Sequence, residues 1–244
     1  MERIKLHSLS KEFQIGTGTK KGALAHALSL FSGREKQESF WALQDVSFRA
    51  ESGEIIGIIG TNGSGKSTLL RLIAGIYAPT HGAVETVGNV ISIINLNLGM
   101  QPRLTMHQNI YLVGALFGLS QQTIHAAYAD IVTFSELEKF THTKLYQFSE
   151  GMKQRLAFSI AAHTAPDVLL LDEVFEVGDE SFCKKSAHKI QELVHNGATA
   201  LLVSHDLSII ERYATRVAWI KKGRIHKTGE ATHILQQYTE SEDQ

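Results

Sequence analysis

Short apolar runs alternate with helical patterns along most of the chain. Four of these runs are rich in isoleucine, valine and leucine, and they cover residues 54–60, 167–172, 198–204 and 217–221. Continuous apolar runs of this length are typical of strands that are buried on both faces of a sheet. Because helical patterns separate them, we expect an α/β fold with a mainly parallel sheet and with ligand-binding loops at the carboxyl ends of its strands.

The pattern becomes helical throughout between residues 105 and 166. Thr105 followed by Gln108 predicts a capping box, residues 118–120 interrupt the helical pattern, and Pro166 ends it. We therefore expect one domain over residues 1–244. Its main lobe consists of residues 1–104 and 167–230, and a helical lobe of about residues 105–166 is inserted into it.

A second insertion, at about residues 16–39, separates what would otherwise be two adjacent strands. Within it, Leu24, Leu28 and Phe31 can share one helical face with basic residues beside it. Two interpretations stay open: a surface helix that packs on its own domain, or a contact with a membrane partner or with lipid headgroups. At the other end, residues 238–244 are polar and acidic, which predicts a frayed tail.

Composition narrows the class of protein. The 244 residues are 43% hydrophobic, which is enough for a sizeable core. Lysine and arginine total 24 against 25 acidic residues, so the net charge of -1 gives no general attraction for nucleic acid or an acidic membrane. The single cysteine, Cys183, excludes an intramolecular disulfide. No apolar run approaches the roughly 18 to 20 residues of a membrane span, so we expect a cytosolic chain unless a partner holds it.

The strongest chemical signal is the stretch Gly-Thr-Asn-Gly-Ser-Gly-Lys-Ser-Thr, which follows one apolar run and precedes a helical pattern. Its glycines allow a tight turn that directs backbone amides at phosphate oxygens, and the helix N-terminus favours negative charge. We predict that Lys66 contacts the β and γ phosphates of ATP and that the Ser67 hydroxyl ligates Mg²⁺. The predicted nucleotide-binding residues of this loop are Gly60, Thr61, Asn62, Gly63, Ser64, Gly65, Lys66, Ser67 and Thr68.

Polar residues follow two other apolar runs. Asp172 and Glu173 come after residues 168–171, and His205 comes after residues 201–204. Parallel strands end at one edge of a sheet, so these side chains should meet the phosphate loop. Asp172 would hold the metal through water, Glu173 would orient the attacking water, and His205 would hydrogen-bond the γ phosphate or that water. Glu173, His205 and Lys66 are the predicted catalytic residues.

These motifs, in this order, resemble the ATPase subunits of ABC transporters. The run Phe-Ser-Glu-Gly-Met at residues 148–152 looks like the signature motif of that family, and the resemblance extends from about residue 4 to residue 227. It implies a P-loop NTPase fold with a mainly parallel core sheet, an antiparallel β portion and an inserted helical subdomain. It also implies a head-to-tail homodimer with two ATP molecules between the copies. Ser149 and Gly151 would then face the nucleotide of the other copy, and Asp179 would contact that copy.

Several positions differ from the usual family pattern. Glu150 replaces the commoner glycine of the signature, which places a negative charge near phosphate unless the side chain points away. The usual glutamine that couples nucleotide to the membrane partner is absent, so Asn95 or Asn97 is expected to replace it. The aromatic residue that stacks on adenine is either Phe13 or Trp41.

Further features resemble a subfamily that exports polysaccharides such as lipid-linked O-antigen or teichoic acids in bacteria. They are the insertion before residues 40–43, the segment 98–105, the Ser-x-Gly-Met signature and residues 173–179. The resemblance implies a peripheral subunit at the cytoplasmic face of the bacterial inner membrane, bound to a dimer of a separate transmembrane permease. Because no carbohydrate-binding domain follows residue 227, we expect no direct glycan recognition.

Three other functions stay open as alternatives. The chain could energise transport of a drug, lipid or nutrient, or it could be a soluble ABC ATPase that acts on ribosomes or DNA. The latter proteins generally carry two cassettes or a long coiled coil, and this chain has one phosphate loop and no sustained heptads. A regulatory subunit that binds nucleotide without hydrolysing it is the third alternative. Neutral net charge gives no support for a nucleic-acid partner.

Overall fold

The computed structural model describes residues 1–15, 38–93, 99–172 and 180–242. Some of the expectations above lie outside these ranges and stay predictions. They concern the helical face in the first insertion and the side chains of Asn95, Asn97, Glu173 and Asp179.

The described part of the main lobe contains two sheets. A three-stranded antiparallel sheet has the order β2-β1-β4, and a six-stranded sheet has the order β5-β6-β7-β3-β8-β9. In the larger sheet all neighbours are parallel except the last pair, β8 and β9. The strands are β1 (Glu2–Ile15), β2 (Glu38–Glu51), β3 (Ile55–Ile59), β4 (His81–Thr86), β5 (Val90–Ile93), β6 (Val168–Asp172), β7 (Thr199–Val203), β8 (Arg216–Lys221) and β9 (Arg224–Glu230).

Seven α-helices are described. They are α1 (Lys66–Ile73), α2 (Met106–Leu116), α3 (Gln121–Ser135), α4 (Glu150–Ala162), α5 (Glu180–His195), α6 (Leu207–Tyr213) and α7 (Ala231–Glu242). Short 3-10 turns at Glu138–Phe140 and Leu145–Gln147 connect α3 to α4.

The four apolar runs of the sequence form four adjacent strands in the middle of the larger sheet. They are β6, β7, β3 and β8, and every residue of β3 and β7 is buried. Apolar side chains cover both faces of these strands, which explains the absence of alternation in the sequence. The prediction of a mainly parallel buried sheet is confirmed.

Among the described residues, three hydrophobic clusters hold the fold together. One lies between the two sheets and includes α1, with Leu43, Ile56 and Leu70 among its buried members. A second covers the other face of the larger sheet, where residues of α5, α6 and α7 pack. A third is internal to residues 106–160, so the helical lobe has a small core of its own.

The helical lobe begins at the predicted capping box. The Thr105 hydroxyl accepts the N–H of Gln108 at 3.2 Å, and the Gln108 side chain accepts the Thr105 N–H at 2.9 Å. Helix α2 ends before the glycine of residues 118–120, and Ser120 caps α3 by accepting the Thr123 N–H at 3.1 Å. Both boundaries follow from side chains that satisfy the free amides of a first helical turn.

Two predicted segments need correction, the first insertion and the C-terminal tail. Strand β2 begins at Glu38, so the last two residues of the expected insertion are strand. The expected tail at residues 238–244 is helical through Glu242, because Tyr238 is buried and meets the Trp219 ring edge-on with centroids 5.3 Å apart. Over the part of the chain that the structure describes, no helix combines the length and apolarity needed to cross a membrane.

Candidate nucleotide site

The phosphate loop connects the buried strand β3 directly to helix α1. Gly65 caps α1 with φ at 111°, a region that side-chain-bearing residues rarely adopt. A Cβ atom at this position would also lie 2.6 Å from the carbonyl oxygen of Ala42 in β2. The close approach of β2 therefore requires glycine, and the helix presents its first amides to the loop.

Lys66 is held inside this loop by backbone oxygens. Only 7% of the residue is exposed, and its Nζ donates to the carbonyl oxygens of Gly60 at 2.6 Å and Thr61 at 3.1 Å. A buried ammonium requires such partners because desolvation of a charge is costly. The same ammonium can exchange these bonds for bonds to phosphate oxygens, which carry full negative charge.

One pocket of about 420 Å³ brings most of the predicted site together. Residues 62–68, Asp172 and His205 line it, together with Phe40 and Ala42 from β2. Asp172 ends β6 and is paired with Val203, the last residue of β7, so the two strands deliver their polar residues side by side. The pocket is thus located at the carboxyl edge of the parallel sheet, as expected for this class of fold.

The turn that carries His205 is fixed on both sides of the imidazole. The buried Ser204 hydroxyl accepts the N–H of Asp206 at 3.0 Å, and the Asp206 carboxylate accepts the N–H of Ser208 at 2.9 Å as the cap of α6. Hydrogen bonds from Ser208 hold the pKa of the Asp206 carboxyl below its usual value. The exposed His205 side chain projects from this hydrogen-bonded turn and lines the same pocket as Asp172.

The oxygen donors in the pocket fit a magnesium ion that is shared with a nucleotide. Ser67 supplies a hydroxyl and Asp172 a carboxylate. Within the described ranges, no three His, Cys, Asp or Glu side chains are grouped to hold a metal by themselves. Mg²⁺ usually keeps waters and phosphate oxygens and takes one or two protein ligands, so two donors at a phosphate loop suit it.

Neither of the two aromatic candidates for the base, Phe13 and Trp41, is part of the described pocket lining. Phe13 pairs with Phe40 across β1 and β2, and their rings stack with centroids 5.6 Å apart. Phe40 lines the pocket, although it was not among the predicted site residues. Trp41 stacks on His81 instead, with centroids 5.9 Å apart, and the described pocket lining does not include it. Adjacent strand residues face opposite sides, which explains this separation.

The signature residues lie at the start of helix α4. Ser149 caps this helix by accepting the Met152 N–H at 3.2 Å, and the Glu150 carboxylate pairs with Lys153 at 3.2 Å. Neither Ser149 nor Gly151 is among the described residues that line the pocket of their own chain. The Glu150–Lys153 pair offsets the negative charge that replaces the usual glycine.

A glycine-rich loop between a buried parallel strand and a helix, with a buried lysine and a strand-end aspartate beside it, defines a phosphate-loop nucleoside triphosphatase. The family description "ABC transporter" matches residues 43–176 of this chain. The chain belongs to the ABC transporter family and has the ABC ATPase fold with its inserted helical subdomain. It is an ATPase of that family.

Curated relatives of the chain are subunits of bacterial export systems. One is the O-antigen export system ATP-binding protein RfbB of Klebsiella pneumoniae, 38% identical over 98% of both chains. Another is the teichoic acids export ATP-binding protein TagH of Lactococcus lactis, 40% identical over 97% of this chain and 50% of the relative. The chain thus spans nearly all of the first relative and about half of the second.

Solved structures agree with the fold. An ATP-binding subunit of an ABC transporter superposes with a TM-score of 0.77 at 24% identity, covering 97% of this chain and 93% of that one. The dimeric ATP-binding cassette MJ0796 bound to ADP and phosphate gives a TM-score of 0.76 at 22% identity, covering 93% and 98%. At these identities the likeness establishes the architecture alone.

Proposed function

We propose that this chain binds and hydrolyses MgATP and thereby powers export of a lipid-linked cell-surface polysaccharide, of the O-antigen or teichoic acid type, through a separate permease. The observation that carries the chemistry is the pocket that joins the phosphate loop to Asp172 and His205. The substrate class is supported by identities of 38% and 40% to the O-antigen and teichoic acid export subunits over nearly the whole chain.

Each described residue has a definite task in this proposal. The loop amides and Lys66 bind the phosphates. Ser67 directly and Asp172 through water would hold Mg²⁺, which would supply positive charge to the phosphate oxygens. His205 donates or accepts a hydrogen bond at the γ phosphate or the attacking water. Phe40 offers the exposed ring on which adenine stacks, and Phe13 supports that ring from behind. Glu173, outside the described residues, is proposed to orient the water.

The proposed working form is a head-to-tail homodimer on a dimer of transmembrane permease subunits. Ser149 and Gly151 begin a helix whose free amides favour an anion, and they would contact the γ phosphate of the partner copy. Asp179 would contact the other copy, and Asn95 or Asn97 would relay the nucleotide state to the permease. This arrangement places the chain peripherally at the cytoplasmic face of the bacterial inner membrane.

The experiment is deletion of the gene in its native host, followed by complementation with the wild type or with Lys66→Ala. Surface and intracellular glycans are then examined by gel and mass spectrometry. We expect loss of surface polysaccharide and accumulation of lipid-linked polymer inside, reversed by the wild type and not by the lysine variant.

Other outcomes would identify a different transporter. Unchanged glycans at both locations, in a strain without a redundant exporter, would refute the polysaccharide substrate. A drug, lipid or nutrient would then have to be sought as cargo, and the ATPase assignment would stand. The net charge of -1 gives no support to a ribosome- or DNA-bound role.

A further inference from the structure

The turn between β8 and β9 contacts the phosphate loop, although no motif in the sequence indicates this. Lys221 pairs with Arg224 across the hairpin, so Lys222 and Gly223 alone form the turn. Their φ angles are 50° and 76°. Two consecutive positive angles are typical of a type I′ turn, which matches the twist of antiparallel strands.

Backbone contacts connect Gly223 to two parts of the nucleotide site. Its N–H donates to the carbonyl oxygen of Ser64 in the phosphate loop at 3.0 Å, and its carbonyl accepts the N–H of Gln44 in β2 at 2.8 Å. A Cβ at this position would lie 2.8 Å from the carbonyl oxygen of Ala42. A larger residue would therefore push the turn away from both elements.

Side chains hold the same turn from outside the pocket. Nε and Nη2 of Arg224 donate to Oε1 of Gln44 at 3.1 Å and 2.8 Å. Gln44 follows Phe40 and Ala42 on β2, and both of those residues line the nucleotide pocket. Gln44, Gly223 and Arg224 thus form a brace that joins the aromatic strand to the phosphate loop.

We propose that this brace is a positioning element for nucleoside triphosphate binding. It fixes the separation between β2, which presents Phe40 to the base, and the phosphate loop, which binds the phosphates. The brace residues are not part of the described pocket lining, so they act through Ala42 and Ser64. A separation that is set before the ligand arrives reduces the ordering cost of binding. The inference rests on the proposed nucleotide site.

The test compares Gln44→Leu and Arg224→Leu with the wild-type chain, by calorimetric titration with MgATP and by steady-state hydrolysis. Each substitution removes the side-chain bonds of the brace and leaves the pocket lining intact. We expect Kd and KM for MgATP to rise about three- to tenfold. We expect kcat to stay within about twofold, because Asp172 and His205 lie on other strands.

Three further variants separate positioning from a general loss of stability. Gln44→Glu keeps an acceptor for Arg224 and should bind MgATP with wild-type affinity. Arg49→Leu removes an arginine of the same strand that pairs with Glu2 at 3.0 Å, away from the pocket, and should leave Kd unchanged. Gly223→Ala breaks the backbone contact and should weaken binding more than either leucine variant, with thermal unfolding as the check on folding.

The outcomes distinguish failure of the positioning role from failure of the proposed nucleotide site. Unchanged Kd in both leucine variants, equal weakening by Arg49→Leu, or a fall in kcat at constant KM would overturn the positioning role. If the wild type binds no MgATP, or if Lys66→Ala binds it as well as the wild type does, the nucleotide site itself fails.

Discussion

Neighbouring residues of one strand have separate roles at the edge of the nucleotide site. Phe40 is 49% exposed and lines the pocket, whereas Trp41 is 38% exposed and stacks on His81. Exposure alone would not separate them, and the larger indole would be the first choice for a stacking platform. The direction of each side chain decides between them, because successive residues of a strand point to opposite faces.

We predict that Phe40→Ala weakens MgATP binding about 5- to 100-fold, which corresponds to the usual energy of a base stacked on an aromatic ring. Isothermal titration calorimetry measures the change. The matched control is Trp41→Ala, which removes a larger ring from the adjacent position and should change Kd less than about twofold. Equal weakening by both variants would contradict the assignment of Phe40.

The position of a residue in the fold can be predicted from the sequence where the signal is local. The phosphate loop could be placed from its own glycines, lysine and serine, and Asp172 and His205 could be placed from the strands before them. Phe40 could not be chosen over Phe13 or Trp41, because the choice depends on how β1 pairs with β2 across the first insertion. The bond between Arg224 and Gln44 joins residues 180 positions apart, and neither side chain belongs to a motif.

Among the elements, the C-terminal helix α7 has an apolar face that its polar composition does not indicate. Ala231, Ile234, Leu235 and Tyr238 are buried, and their spacing is that of one helical face. The polar and acidic residues 238–244 gave the expectation of a frayed tail. The strands were easier to predict because their apolar runs are continuous, and the capping box of α2 was readable from two residues.

His163 caps the C-terminal end of helix α4 and provides a test of the packing between helices. Nδ1 of His163 lies 2.7 Å from the Ser159 carbonyl oxygen, to which it donates, and the ring meets Phe134 edge-on with centroids 5.3 Å apart. Burial lowers the pKa of His163 below its ordinary value. Lys189 also lowers it, while the Ser159 hydrogen bond and the charges of Asp130 and Glu192 oppose the shift.

We predict that this histidine makes the fold less stable in acid. Because its pKa is lower in the folded chain, the unfolded chain binds the proton more readily, and stability falls as pH drops below about 6.5. The free energy of unfolding, measured with urea, should fall less between about pH 7.5 and about pH 5.5 for His163→Gln than for the wild type. The same loss in both proteins would assign the acid sensitivity to other groups.

At the scale of the whole molecule, the helical lobe has its own core and is tied to the main lobe by charged residues. Glu136, after α3, accepts bonds from Lys185 of α5 at 3.0 Å and from Arg155 of α4 at 3.2 Å. The Lys185 ammonium also donates to the carbonyl oxygen of Phe134 at 3.0 Å. Phe134 and Phe158 of the helical lobe also pack in the hydrophobic cluster of the larger sheet, so polar and apolar contacts together join the two lobes.

In the proposed homodimer, the start of helix α4 would complete the nucleotide site of the second copy. Ser149 is exposed at the start of α4, outside the described pocket lining of its own chain. If Ser149 and the free amides of the first turn of α4 contact the γ phosphate of another copy, nucleotide binding and dimerisation are linked, and a chain that retains ATP should stay dimeric. A variant that binds ATP but cannot hydrolyse it is the direct test of this linkage.

We predict that Glu173→Gln lowers ATP hydrolysis roughly 100-fold or more, because the amide cannot act as the base for the attacking water. The substitution leaves the phosphate loop intact, so ATP remains bound and the closed pair accumulates. Light scattering on a sizing column should give twice the monomer mass in saturating MgATP. The double variant with Lys66→Ala should stay monomeric, since it lacks the ligand for phosphate. A monomeric Glu173→Gln protein in saturating MgATP would refute the sandwich arrangement.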